Sequence, residues 1–100
     1  MPRLILAAAF IACAVPALGQ TEKEVSCGYQ SQVVAAIQQA RIDKIAERDV
    51  QKIVLAKEPD WPENYNAAIP LIAPWVYELP MKQVRDNDLG DVWGELCLQQ

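Results

Sequence analysis

Histidine is absent from all 100 residues of the sequence. Catalytic cysteines usually depend on a histidine or another cationic group to hold the thiolate, and zinc sites commonly combine histidine with cysteine. Without histidine, any acid-driven switch would depend on carboxylates and would act near or below about pH 5. The sequence therefore argues against an enzyme, against a metal or other cofactor, and against a switch near neutral pH.

Clusters of lysine and arginine are also absent, and the 13 acidic residues outnumber the 9 basic ones. Nucleic acids and anionic lipid surfaces are bound by concentrated positive charge. The sequence therefore predicts neither as a partner. It also contains no internal repeat and no low-complexity run.

The first twenty residues, MPRLILAAAFIACAVPALGQ, have the pattern of a secretory signal peptide. Arg3 precedes an apolar run from Leu4 to Val15, and small residues stand at positions 17 and 19, where a signal peptidase cleaves. The run is shorter than the roughly 20 residues that span a bilayer, and later apolar stretches are interrupted by prolines. The pattern predicts a cleavable leader at 1–19 and a periplasmic or secreted domain at 20–100.

An alternative use of the leader involves Cys13, which would be acylated and would anchor the chain to a membrane as a lipoprotein. Phe10 is unusual three places before such a cysteine, and the apolar run ahead of Cys13 is short for that signal. The soluble form is therefore preferred. Without the leader, eight basic residues face 13 acidic ones, which gives a charge near −5.

The chain from residue 20 onward is the size of one small domain and retains two cysteines, Cys27 and Cys97. A pair of cysteines in an exported protein points to a disulfide, because that compartment is oxidising. A free or intermolecular thiol is the alternative, and catalysis by Cys27 is disfavoured by the missing histidine. A disulfide would remove roughly 4 kcal/mol of chain entropy from the unfolded state, a large contribution for a small domain.

Apolar residues recur at helical spacing along the first half of the domain. Thr21 and Glu24 form a T-x-x-E capping box before a long stripe. The stripe loses its phase between residues 41 and 47, which predicts a bend or turn there. A second helix then ends by Glu58, because Pro59 disfavours helical geometry in the residue before it.

The second half of the domain also has helical spacing. Asp60 is predicted to cap a helix that carries apolar residues on two sides, including Leu71, and Pro70 and Pro74 should bend or break that helix. A short helix from Pro80 to about Arg85 is predicted to precede a last helix capped by Asp88. The stripe of that last helix comprises Leu89, Val92, Trp93 and Leu96. Since no stretch alternates at period two, the predicted fold is all-α, a bundle of four or five helices with Cys27 and Cys97 joining the first helix to the last.

Gly28, next to Cys27, suggests that the last helix passes close to this point, since a glycine inside a helix costs about 1 kcal/mol relative to alanine. The acidic run DNDLGD departs from a calcium-binding loop at three positions and reads as a helix start. Aromatic residues are concentrated in the C-terminal half. They either fill the core or leave a patch for a partner or a second copy of the chain; the candidate partner surface comprises Trp61, Tyr65, Trp75, Tyr77 and Trp93.

The stretch CGYQSQVVAAI, opening a helix at Cys27, Gly28 and Tyr29, together with the lone cysteine at position 97, is similar in layout to small exported bacterial helical proteins. The chain resembles the Tai-type immunity proteins, which neutralise effectors delivered by type VI secretion. This resemblance implies a helical inhibitor and assigns no contact residue. Periplasmic acid-stress chaperones share the size, the helicity and the single disulfide.

Two hypotheses of function follow. In the first, the chain is a periplasmic binding or inhibitor module that acts on another envelope protein through a helical face. In the alternative, it is an envelope acid-stress protein whose carboxylates titrate and expose apolar surface.

Overall fold

The computed structural model describes residues 20–100, a range that contains five α-helices and no strand. The predicted leader at 1–19, including Cys13, lies outside the described residues. Two short 3₁₀ helices span Glu47–Asp49 and Glu63–Ala67. The prediction of an all-α bundle of four or five helices is confirmed; its α-helices are α1 (Glu22–Ile42), α2 (Val50–Ala56), α3 (Ala68–Glu78), α4 (Met81–Asp86) and α5 (Leu89–Leu98).

Helix α1 is the central element, and both of its ends follow from local sequence. The Thr21 hydroxyl accepts from the Glu24 amide at 3.0 Å, and the Glu24 carboxylate accepts from the Thr21 amide at 2.8 Å. At the other end, Lys44 adopts a φ of 64° and the Ile45 amide donates to the Ala40 carbonyl at 3.0 Å. This is a Schellman motif, and it explains the predicted turn between residues 41 and 47.

Helix α2 ends where Pro59 requires it to end. Glu58 takes the left-handed conformation with a φ of 53°, and its amide donates to the Leu55 carbonyl at 3.1 Å. The next residue has no N–H, so the second bond of a Schellman motif cannot form. The prediction that this helix stops by Glu58 is confirmed.

The predicted role of Asp60 is wrong. The next helical turn begins at Glu63 with Pro62 in the extended N-cap position, and no side chain caps it. Pro62 fixes the entry of the chain, so the helix starts two residues later than the pattern of acidic residues suggested. No aspartate caps this turn. A side-chain hydrogen bond spans it instead, in which the Trp61 indole N–H donates to the Asn66 amide oxygen at 2.8 Å.

Neither Pro70 nor Pro74 breaks the next helix, contrary to the break that the sequence allowed. The 3₁₀ turn Glu63–Ala67 passes into α3 at Ala68, and α3 then continues through Pro74 to Glu78. Pro70 lies in the first turn of α3, where a backbone N–H has no partner within the helix. Leu71, predicted on a covered side, is 79% exposed; α3 packs with one face only, so the opposite face faces solvent.

The core lies where α1 meets the other helices. Each large aliphatic side chain buried there contributes about 1.5–3 kcal/mol relative to an exposed position. Helices α1, α2 and α3 supply most of these residues, and α4 and α5 supply one each. The larger of the buried side chains are those of Val33, Val34, Ile37, Val50, Val54, Trp61, Ile69, Ile72, Val76, Val84 and Leu89.

The last two helices begin where the sequence predicted. Pro80 precedes α4, and the Asp88 carboxylate accepts from the Asp91 amide at 3.0 Å and caps α5. The predicted stripe of α5 is only partly buried: Leu89 and Trp93 pack inward, whereas Val92 and Leu96 are 41% and 50% exposed. Among residues 20–100, no helix has the length and hydropathy needed to cross a bilayer.

Candidate functional site

A disulfide between Cys27 and Cys97 joins α1 to α5, as predicted, and defines one end of the bundle. The two Cα atoms are 5.7 Å apart and the bond closes a separation of 70 residues. Cys27 is 3% exposed, whereas Cys97 is half-buried. We call residues 20–31 and 88–100, which this bond holds together, the stapled end. With both sulfurs in the bond, neither cysteine is a nucleophile or a thiolate ligand.

Two glycines of α5 let that helix approach α1 closely. A Cβ at Gly90 would lie 2.8 Å from the main-chain oxygen of Ser31, and one at Gly94 would lie 3.4 Å from the Ser31 hydroxyl oxygen. The prediction that Gly28 marks the close approach is wrong, because nothing lies within 4 Å of a Cβ built there. The informative signal was the spacing of Gly90 and Gly94, four residues apart on one face of a helix.

Polar side chains of α1 fix the start of α5 as well. The Ser31 hydroxyl donates to the Gly90 carbonyl. Gln38 donates to the main-chain oxygens of Val84 and Asn87, and its own side-chain oxygen accepts from the Leu89 amide at 3.2 Å. These bonds satisfy backbone groups at the junction of α4 and α5, where two helix ends meet. The orientation of α5 on α1 is therefore determined at both of its ends.

Three of the five predicted surface aromatics lie at or near the stapled end. Trp75 and Trp93 pack against each other with ring centroids 5.5 Å apart, and Tyr65 packs against Tyr29 at 5.3 Å. The Trp93 indole donates to the Gln30 side chain at 3.0 Å. All four rings are half-buried, so they support the bundle and also contribute to its surface.

The other two predicted surface aromatics lie elsewhere. Trp61 is 7% exposed and belongs to the core, which is the alternative that the sequence left open for the tryptophans. Tyr77 donates to the Ile45 carbonyl at 2.7 Å, and the Arg41 guanidinium lies 5.3 Å from its ring centroid. Burial raises the pKa of Tyr77, with Arg41 opposing and Glu47 reinforcing the shift. The five residues therefore do not form one continuous surface.

An open groove of about 640 Å³ lies between α1 and α5 at the stapled end. This volume is within the range of ligand-binding clefts in proteins, roughly 300–1,000 Å³. The disulfide forms part of its lining, and Leu96, half exposed, stands at its edge. We call it the disulfide groove; its lining residues are Lys23, Ser26, Cys27, Gln30, Trp93, Leu96, Cys97 and Gln100.

Most polar groups that line the disulfide groove bond to neighbours in the protein. The Ser26 hydroxyl oxygen accepts from the Tyr65 hydroxyl at 3.0 Å and from the Gln30 amide at 3.2 Å. Lys23 donates to the main-chain oxygen of Gln100. Ser26, Gln30 and Lys23 could not be predicted as lining residues from the sequence, because the role of a polar residue on a helix depends on which helix packs against it.

Charge is unevenly distributed along the bundle. The stapled end carries five acidic residues and one basic residue, Lys23. The other seven basic residues of the domain all lie between positions 41 and 85. Every one of the 13 carboxylates is on an exposed residue. Those of the stapled end are Glu22, Glu24, Asp88, Asp91 and Glu95.

Among residues 20–100, no group of three or more cysteine, aspartate or glutamate side chains converges on a point that could hold a metal ion. In the DNDLGD run, Asp88 caps α5 as predicted. Comparison with protein-family profiles, curated proteins and solved structures gives no match.

Proposed function

We propose that the domain is exported and acts as a binding module, one that inhibits or masks another envelope protein through the disulfide groove. The observation that carries this proposal is the apolar edge of that groove. Leu96 is half exposed and Val92, one turn before it, is 41% exposed. Both belong to the helix that the disulfide holds against α1. Exposed aliphatic residues beside a ligand-sized groove are typical of a docking surface.

The scaffold around the groove supports this role because both walls are fixed before a partner arrives. The disulfide, the contact of Gly90 with Ser31 and the bonds of Gln38 hold α5 on α1. A preformed surface loses little conformational entropy on binding, and more of its contact energy then appears as affinity. A small stapled domain can therefore be an effective binder or inhibitor despite its size.

We favour binding over catalysis as the role of the residues that line the disulfide groove. The sequence has no histidine, and its two cysteines beyond the leader are joined to each other. The resemblance to Tai-type immunity proteins agrees with an inhibitor, and it is a likeness of layout. We therefore propose the disulfide groove as the binding surface in place of the five aromatic residues predicted from the sequence, of which Trp93 alone lines the groove.

The acid-stress hypothesis draws less support from the arrangement of charge. A carboxylate makes stability depend on pH when its pKa differs between the folded and unfolded states. All 13 carboxylates are on exposed residues, and the one ion pair among residues 20–100 is the exposed pair Lys82 and Asp86. An exposed ion pair contributes little to the free energy of folding. We therefore rank this hypothesis second.

The test compares two exposed leucines. The mature protein and its Leu96→Asp and Leu71→Asp variants serve as baits in an extract of the envelope, and captured proteins are quantified by mass spectrometry. We expect one partner to be captured by the parent protein and by Leu71→Asp but lost with Leu96→Asp. That partner is then purified, and its affinity for the three baits is measured. Equal affinity for the parent and Leu96→Asp would remove the groove from consideration.

A further inference from the structure

We infer that the occupant of the disulfide groove is a basic amphipathic segment of a partner protein, with an apolar side chain in the groove and lysine or arginine on its flanks. This inference rests on the proposed function of the groove and adds the chemistry of the partner. Two independent features carry it, the pairing of the polar groups inside the groove and the charge around it.

The pairing of polar groups indicates an apolar occupant. Ser26 and Gln30 bond to Tyr65, to Trp93 and to each other. A polar ligand group would have to replace these bonds, with little net gain from the exchange. What the groove offers without competition is the surface of the disulfide, the Trp93 ring and Leu96. These surfaces favour an aliphatic or aromatic side chain.

The charge of the stapled end indicates basic flanks. Five acidic residues lie within residues 20–31 and 88–100, and α5 carries no lysine or arginine at all. Lys23, the one base there, donates to the Gln100 main-chain oxygen. Glu22 lies one helical turn from the lining residue Ser26, and Glu24 lies one turn from Cys27, so acidic residues flank the α1 wall of the groove. Complementary charge across an interface speeds association and excludes partners of the wrong sign.

The same charge argues against two other occupants. An anionic lipid surface would be repelled by a net charge of −4 at this end. A second copy of the chain, paired through a two-fold axis, would bring the same acidic residues against themselves. Homodimers formed through the disulfide groove are therefore disfavoured, and the inference is restricted to a basic protein segment.

The experiment uses two labelled synthetic helical peptides of 14 residues, one of leucine and lysine and one of leucine and glutamate in the same pattern. Binding to the oxidised mature protein is followed by fluorescence anisotropy at low and high salt. We expect the lysine peptide to bind with an affinity that falls as salt rises, and the glutamate peptide to bind at least about tenfold more weakly.

Two charge-reversed variants locate the effect. Asp91→Lys with Glu95→Lys reverses the charge of two acidic residues at the stapled end, whereas Glu47→Lys with Glu78→Lys makes the same change in net charge on the 3₁₀ helix Glu47–Asp49 and at the end of α3. The first pair should weaken binding of the lysine peptide about tenfold, and the second pair should weaken it much less. Circular dichroism confirms that all variants remain folded.

Three outcomes would overturn the inference: equal weakening by both pairs of variants, equal binding of the two peptides, or no binding of the lysine peptide. None of these contradicts the groove itself, whose role is decided by the Leu96 and Leu71 baits. Conversely, binding of a partner could be lost with Leu96→Asp but unaffected by salt or by the Asp91→Lys and Glu95→Lys changes. That result would support the proposed function of the groove and reject a basic occupant.

Discussion

The two ends of the bundle are stabilised in different ways. At the stapled end, a disulfide, a glycine contact and a few polar bonds hold α5 on α1, and apolar residues such as Leu96 remain exposed. At the other end, where α2 and the end of α3 meet the second half of α1, apolar side chains such as Ile37 and Val76 are fully buried. A covalent bond thus holds one end together, while the other end depends on its buried core.

Charge follows the same division. Acidic residues dominate the stapled end, whereas the other end carries seven basic residues among its acids. At that end Arg41 lies over the Tyr77 ring and donates to the Leu79 carbonyl at 3.3 Å. The two ends differ in net charge, which is −4 at the stapled end and −1 in the rest of the domain, where seven basic residues face eight acidic ones. The comparison predicts that the stapled end alone depends strongly on its cross-link and on the size of two glycines.

The largest effect is expected from loss of the disulfide. Replacement of both cysteines by serine releases a separation of 70 residues in the unfolded chain, worth roughly 4 kcal/mol in the loop-entropy description. For a domain of this size the melting temperature should fall by at least about 15 °C, as measured by calorimetry. Labelling of the native parent protein should find no free thiol at Cys27 or Cys97. Reactive thiols, or an unchanged melting temperature, would contradict the account.

A smaller effect is expected when the contact between α5 and α1 is crowded. Gly90→Ala would place a Cβ against the main-chain oxygen of Ser31, which cannot move as a side chain would, and should cost about 1–3 kcal/mol. Gly28→Ala is the matched control, since its Cβ meets nothing within 4 Å. This substitution should stabilise α1 by about 0.5–1 kcal/mol. Urea unfolding of both variants measures the difference, and a Gly28→Ala variant less stable than Gly90→Ala would reverse our assignment of the close approach.

The smallest effect concerns the turn after α1. Lys44 is exposed and adopts a φ of 64°, which glycine tolerates better. Lys44→Gly should therefore stabilise the protein by up to about 1 kcal/mol. The matched control is Lys52→Gly, an exposed position within α2, which should destabilise by about 1 kcal/mol. Equal destabilisation by both substitutions, measured by thermal unfolding, would contradict a left-handed conformation at Lys44.

The predictions from sequence that proved correct depend on chemistry within a few residues of each other. The capping box at Thr21 and Glu24, the stop before Pro59 and the cap at Asp88 each involve neighbours in the chain. The disulfide is the one correct prediction that joins residues far apart in the chain. It could be predicted because Cys27 and Cys97 are the two cysteines that follow the leader. In each of these cases, the interacting partners can be identified from the sequence without knowing how the helices pack.

The predictions that failed required knowledge of how helices meet. The pattern of α5 shows apolar residues at Leu89, Val92 and Leu96, but the helix turns its glycine face toward α1 and leaves the last two exposed. Leu71 is exposed for a related reason, because no element covers the outer side of α3. Hydrophobic spacing gives the direction of a stripe and does not give the width of the surface that covers it.

The most direct test of the central claim, that the disulfide groove binds a partner, is site-specific photo-crosslinking in the envelope. A photoreactive amino acid is placed at Leu96 in one variant and at Leu71 in another, so that both probes are exposed on helices of the same small domain. The account predicts a crosslinked complex from position 96 and none from position 71, with the yield at 96 reduced by the Asp91→Lys and Glu95→Lys changes. A complex formed equally from both positions, or from position 71 alone, would contradict it.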